Sequence, residues 1–190
     1  METTKKFTSA DLALLPDDDA MRYEIIEGDL YVSKQPSAEH QFICMQLGRY
    51  LQEWNDQSGA GVAFVAPGVV FADDDDVAPD VIWMSHIRMA GAIDKAGHFT
   101  RAPELVVEVL SPGTRNEYRD RQAKLKLYSR RGVSEYWIAE PLRRFVEVYR
   151  REGDALKLAV TLRTDDALES PLLPGFSCRV SKLFFSRPPS

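Results

Sequence analysis

The chain has 190 residues, of which 44% are hydrophobic, 10% aromatic and 28% charged, with a formal net charge of −5. That length supports one domain with a sizeable core, and the apolar and aromatic content excludes global disorder. Two distant cysteines, Cys44 and Cys178, exclude a disulfide framework and a cysteine-type metal finger. No apolar run is long enough to span a membrane, and Met1 to Leu15 does not read as a signal peptide, so a reducing cytoplasm is the expected setting.

The predicted elements run as follows. Ala10 to Leu15 reads as a short helix stopped by Pro16. Tyr23-Glu24-Ile25-Ile26 and Leu30-Tyr31-Val32 flank Glu27-Gly28-Asp29, the pattern of a hairpin turning at Gly28. Ser37-Ala38-Glu39-His40 opens a helix with capping-box spacing, in which His40 replaces the usual Glu or Gln. Ile43, Leu47, Tyr50, Leu51 and Trp54 continue it at helical spacing to Gly59. Strands are expected at Val62–Val65 and Val69–Phe71, followed by a solvated acidic loop, Asp73 to Asp76. Pro79-Asp80 opens the apolar strand Val81-Ile82-Trp83-Met84. Residues 85–102 read as a short helix and loop. Thr114-Arg115-Asn116-Glu117 is a second capping box, predicting a helix from Thr114 to about Arg131, ended by Gly132. Strands follow at 135–139, 145–149 and 156–162, then an irregular tail. One α/β domain, residues 1–190, with a mixed sheet accommodates these elements.

The chemistry concentrates at Pro103-Glu104-Leu105-Val106-Val107-Glu108-Val109-Leu110-Ser111-Pro112. An apolar run between prolines reads as a buried strand. A buried Glu108 is costly unless a metal ion, a lysine or both meet it. Asp80 is a second carboxylate at a strand margin, and two such acids repel unless a cation lies between them. Mg²⁺ suits one or two carboxylates, a backbone carbonyl such as that of Val109, and retained waters. The alternatives are a solvated Asp80 and a salt-bridged Glu108. Lys124, one helical turn from Asp120 and from Tyr128, sits at the edge of the helix face that would pack on the sheet. It could orient or help deprotonate a metal-bound water, or simply pair with Asp120. His40 lies in a first helical turn, where anions are favoured. Residues 101–150 carry a net charge of +4 against −9 for the rest, a local basic field that could attract phosphate or be ordinary surface.

These residues, in this order, resemble the Uma-two-type restriction endonucleases of the PD-(D/E)XK nuclease superfamily, a bacterial family. The resemblance runs from about Tyr23 to Tyr149. It is carried by the opening hairpin, by Pro36-Ser37 through His40-Gln41 and by Pro79-Asp80. Its most specific part is Glu108-Val109-Leu110-Ser111-Pro112 with Asp120, Lys124, Tyr128, Gly132-Val133 and Glu135-Tyr136-Trp137. It implies a restriction-endonuclease-like fold: a mixed central β-sheet flanked by helices, with an N-terminal β-hairpin. It further implies a Mg²⁺-dependent DNA endonuclease, with Mn²⁺ as a possible substitute, in the bacterial cytoplasm. Asp80 and Glu108 would bind metal, with the Val109 carbonyl as neutral ligand. Lys124 would be the catalytic lysine, supplied by the helix because Leu110 stands where the superfamily's commonest pattern has it. His40, Glu27 and Tyr128 are auxiliary candidates. Glu27 and Asp29 stand where Asp and Glu are commoner in the family, and Gly113 where Ser is usual. A homodimer through a sheet edge is a further expectation. The rival is a nuclease-fold module that binds nucleic acid or regulates without cleaving.

Overall fold

The computed structural model describes residues 6–185, except 17 and 19. Among these, the elements are α1 (Ser9–Leu12), β1 (Met21–Ile26), β2 (Asp29–Lys34), α2 (Ala38–Ser58), β3 (Gly61–Val65), β4 (Val69–Ala72), β5 (Asp75–Val77) and β6 (Val81–Ser85). The chain continues with α3 (His86–Met89), β7 (Leu105–Val109), α4 (Thr114–Tyr118), a π-helical segment (Arg119–Lys124), α5 (Leu125–Arg131), β8 (Glu135–Glu140), β9 (Phe145–Glu152) and β10 (Ala155–Leu162). It closes with β11 (Ala167–Glu169), β12 (Ser177–Arg179) and a short 3₁₀ turn (Val180–Lys182).

The main sheet has six strands in the order β10-β9-β8-β7-β6-β3. It is mixed because β7 and β8 run parallel while the other neighbours are antiparallel. A parallel pair cannot be closed by a tight turn, so the chain leaves the sheet after β7 and returns through α4, the π segment and α5. Alternation along the strands sends Val81, Trp83, Leu105, Val107, Val109 and Trp137 into one core, with Ile43, Leu47 and Leu51 of α2. It sends Ile82, Val106, Tyr136 and Ile138 into the other, with Leu127 and Tyr128 of α5.

Two smaller sheets were not expected: a four-stranded one, β2-β1-β5-β4, and the pair β11-β12, which gives the tail regular structure. The first is built on the N-terminal hairpin. Glu27 and Gly28 form its two-residue loop with φ of 52° and 77°, the left-handed conformation that such tight hairpin turns need. A side chain at Gly28 would also come within 2.7 Å of Lys6 Cδ. Ser37 caps α2 by accepting the His40 N–H. At Thr114 the predicted capping box does not form, and Gly113 takes the cap position without a side-chain bond.

The acidic run differs most from its sequence expectation. Asp75 is fully buried, not solvated. Its carboxylate accepts the Glu27 N–H at 2.8 Å and guanidinium donors from Arg130 and Arg131 at 2.6 Å each. These charged partners offset desolvation and tie the hairpin to α5.

Candidate active site

Glu108 belongs to a strand buried along its whole length, Leu-Val-Val-Glu-Val, and is itself 1% exposed. Its Oε1 accepts hydrogen bonds from Lys124 Nζ at 2.8 Å and from the Tyr128 hydroxyl at 2.9 Å. Lys124 Nζ is equally close, 2.8 Å, to Glu24 Oε1 on β1, and 3.9 Å from Asp120 Oδ1. Strands β6 and β7 pair Val81 with Val107, and one further step in that register sets Asp80 opposite Glu108. Asp80 Oδ2 accepts the Val109 N–H at 2.8 Å and lies 3.1 Å from His40 Nε2, while Oδ1 is 3.2 Å from Arg22. Arg119 closes the cluster, bonding Asp120 at 2.7 and 3.2 Å and reaching Glu24 at 3.5 Å.

The helix that brings three of these groups is not a plain α-helix. At about 100° per residue an α-helix would spread Arg119, Asp120 and Lys124 over about 140°. The wider π turn, at roughly 80° per residue, gathers them within about 80°. All three are buried. Wide turns of this kind often mark functional sites.

Burial and charge act against each other throughout the cluster. Burial pushes the Asp80 carboxyl up, but the His40 hydrogen bond and charge, Lys124 and the Val109 amide outweigh it and bring it down to about 2. Burial would strip Lys124 of its proton, yet Glu108 and Glu24 hold it firmly as an ammonium. Burial raises Glu108 well above the usual range; Lys124 opposes this, and Asp80, Asp120 and Glu24 add to it. Four carboxylates (Glu24, Asp80, Glu108, Asp120) face three permanent cations (Arg22, Arg119, Lys124) and the ionisable His40, so carboxylates outnumber permanent cations by one.

The expected residues divide clearly. Asp80, Glu108, Lys124, Tyr128 and His40 come together, and Val109 meets Asp80 through its amide N–H. Glu27 does not join them. It sits at the hairpin turn, half-exposed, paired with Lys126 and Arg130. Sequence reasoning missed Glu24, Arg22, Arg119 and Cys44 as members, and gave Asp120 a place in the family pattern and a pairing with Lys124 but no part in the site. Glu24 carried the same signal as Glu108, an acid embedded among apolar strand residues. The basic residues of 101–150 have partners within the fold. The buried ones enter the cluster, and the others hold carboxylates or backbone carbonyls, as Arg121 does Glu147, Arg150 does Glu135 and Arg115 does the Leu30 carbonyl.

The sequence matches the model of the Uma2 family, described as "Putative restriction endonuclease", over residues 9–181. The chain belongs to the Uma2 family. That membership supports a nuclease. A solved structure described as a "putative nuclease belonging to DUF820" from Anabaena variabilis superposes with a TM-score of 0.73 at 19% identity, covering 94% of this chain and 97% of the other. It shows that the Uma2 chain shares that structure's fold. The type IIG restriction endonuclease BpuSI matches with a TM-score of 0.40 at 15% identity, over 80% of this chain and 16% of that one. No curated protein matches. Within this Uma2 chain, one imidazole nitrogen of His40, Cys44 Sγ and one Asp80 oxygen all lie within 4.8 Å of one another, a buried group that could hold a metal.

Proposed function

We propose that the chain is a metal-dependent DNA endonuclease that takes Mg²⁺, or Mn²⁺ in its place, at Asp80 and Glu108. The observation that carries this reading is the convergence of Asp80, Glu108 and Lys124 from separate parts of the chain into one buried, carboxylate-rich cluster. Carboxylate oxygens suit a hard divalent cation, and crowding of carboxylates is what such a cation relieves. When bound, Mg²⁺ would supply Lewis-acid stabilisation of phosphoryl charge and a water of lowered pKa.

The chain's own residues would do the rest. Lys124, held as an ammonium, is a fixed positive charge and a hydrogen-bond donor rather than a base. It would orient a nucleophilic water or stabilise charge on the phosphate. Tyr128 fixes the rotamer of Glu108, and His40 with the Val109 amide fixes that of Asp80. Glu24 holds Lys124 in register with Glu108. This reading takes residues 1–190 as one nuclease-like domain working in the bacterial cytoplasm. It includes a homodimer through edge strand β10, where Leu158 and Val160 are exposed.

A second reading, a nuclease-fold module that does not cleave, is favoured by closure of the site. Lys124 is 1% exposed. Just beyond β7, Leu110, Ser111 and Pro112 line a small cavity that also presents Glu39, Glu117 and Glu140 against the single cation Arg143, a mostly acidic wall for a phosphate to approach. Incubation of plasmid and single-stranded DNA with Mg²⁺ or Mn²⁺ separates the two. The nuclease reading expects cleavage that Lys124→Ala slows on the order of 10²–10³-fold, the loss of one positioned donor and charge. Cleavage by neither metal, or a variant as fast as wild type, sinks it.

A further inference from the structure

Cys44 has no part in the nuclease reading, yet it is 3% exposed and sits against the site. His40 and Cys44 are one turn apart on α2, so their side chains share a face. Cys44 Sγ lies 3.5 Å from His40 Nδ1, while Nε2 of the same ring is 3.1 Å from Asp80 Oδ2. Imidazole, thiolate and carboxylate together form the ligand set of a borderline-soft cation, not of Mg²⁺, which takes oxygens.

The spacing decides whether this is more than proximity. Zn²⁺ bonds of about 2.0–2.3 Å at tetrahedral angles set ligand atoms roughly 3.3–3.7 Å apart. The sulfur–nitrogen pair is already at that separation, and the whole set lies within 4.8 Å. One metal takes a single nitrogen of the ring, so with Nδ1 ligating beside Cys44 the Asp80 carboxylate leaves Nε2 and closes by about 1 Å to complete three ligands. Arg22 opposes a cation here, 3.2 Å from Asp80 Oδ1, with its side chain 30% exposed and also reaching the Ala78 carbonyl.

We propose that His40, Cys44 and Asp80 form a second metal site, selective for Zn²⁺-class cations, that shuts off the nuclease site through their shared ligand Asp80. Binding replaces the thiol proton, which leaves to solvent, and draws one imidazole nitrogen and one Asp80 oxygen onto the metal. The carboxylate that would position the hard cation opposite Glu108 is thereby taken. The inhibitory consequence rests on the nuclease reading; the binding does not.

The test uses the full chain, stripped of metal and titrated with Co²⁺, whose thiolate charge-transfer absorption reports sulfur ligation directly. The expected result is one Co²⁺ per chain with that band, displaced by Zn²⁺ and untouched by Mg²⁺. The band is absent in Cys44→Ser and in Cys44→Ala, and weakened in His40→Gln, each shown folded by circular dichroism. Zn²⁺ affinity should fall by more than the roughly 10–100-fold that loss of an outer hydrogen-bond partner costs. Zn²⁺ should then stop Mg²⁺-supported cleavage by wild type, and spare Cys44→Ser measured against its own zinc-free rate. No thiolate band, or a band surviving in the Cys44 variants and so arising at Cys178, overturns the site. A bound Zn²⁺ that leaves cleavage running overturns the inhibition. Absence of cleavage from every preparation overturns the nuclease reading, while the band still decides the metal site.

Discussion

Two charge clusters use the same residue types and differ in sign and in exposure. At the hairpin turn, Glu27, Asp29 and Asp75 meet Lys6, Lys126, Arg130 and Arg131, so cations exceed acids by one and most of the side chains are partly exposed. Around Glu108, four carboxylates meet three permanent cations, and nearly every group is buried. The first cluster is complete without a further ion and behaves as a strut between the hairpin and α5. The second gathers more carboxylates than permanent cations in a medium that screens charge poorly, which is where a divalent cation gains most. Burial and charge balance, rather than the number of acids, separate a candidate metal centre from a structural knot.

The comparison can be broken most sharply at Lys124. Lys124→Ala should remove most of the cleavage, as above, and also destabilise the fold by about 3–5 kcal/mol, because Glu24 and Glu108 lose their shared partner in a buried site. Thermal melts beside rate measurements separate the two effects. If the same substitution at Lys126 in the outer knot cost as much, the contrast would fail.

Acid titration of the metal-free protein tests the inner cluster next. Asp80 is brought down to about 2 in the fold, against an unfolded value of about 3.9. A depressed carboxylate contributes stability that is present above the unfolded value and lost as pH falls through the folded one. About 2–3 kcal/mol should therefore disappear between roughly pH 4 and pH 2. Denaturant midpoints across that window measure it, and Asp80→Asn should flatten the slope.

Glu24→Gln sharpens the comparison from the hairpin side. It keeps a hydrogen-bonding group near Lys124 but removes a charge, so Lys124 should be held less tightly as an ammonium. A drop in kcat of roughly 10–100-fold with KM nearly unchanged is the expected signature of a positioning residue. A change confined to the melting temperature would demote Glu24 to structure.

Asp75→Asn should give the smallest effect. It removes the charge that Arg130 and Arg131 share and turns one acceptor oxygen into a donor facing either them or the Glu27 N–H, which should cost about 1–3 kcal/mol of stability. Cleavage per folded molecule should not change. Loss of cleavage there would show that the two clusters act as one.

Much of the site was legible before the fold was known, for a simple reason. An acid inside an apolar strand must find a cation, so the segment around Glu108 announced both its burial and its need. Glu24 carried the same signal, but a two-stranded hairpin does not say what its faces will pack against. Nothing local indicated that β1 would lay its Glu24 against Lys124. Asp75 was misjudged for the complementary reason, because a run of four aspartates looks solvated until Arg130 and Arg131 are known to face it.

The sequence by itself determined the order of the main strands and helices, the hairpin turn at Gly28, the burial of β7 and the family to which the chain belongs, because these follow from local pattern and backbone freedom. Tertiary structure decided which charges meet. The π-helical turn gathers Arg119, Asp120 and Lys124 on one face, and the β6–β7 register sets Asp80 opposite Glu108. The i,i+4 pair on α2 brings Cys44 to the same place. Electrostatic partnership depends on distances of a few ångströms between residues up to a hundred positions apart, and no local pattern along the chain encodes that.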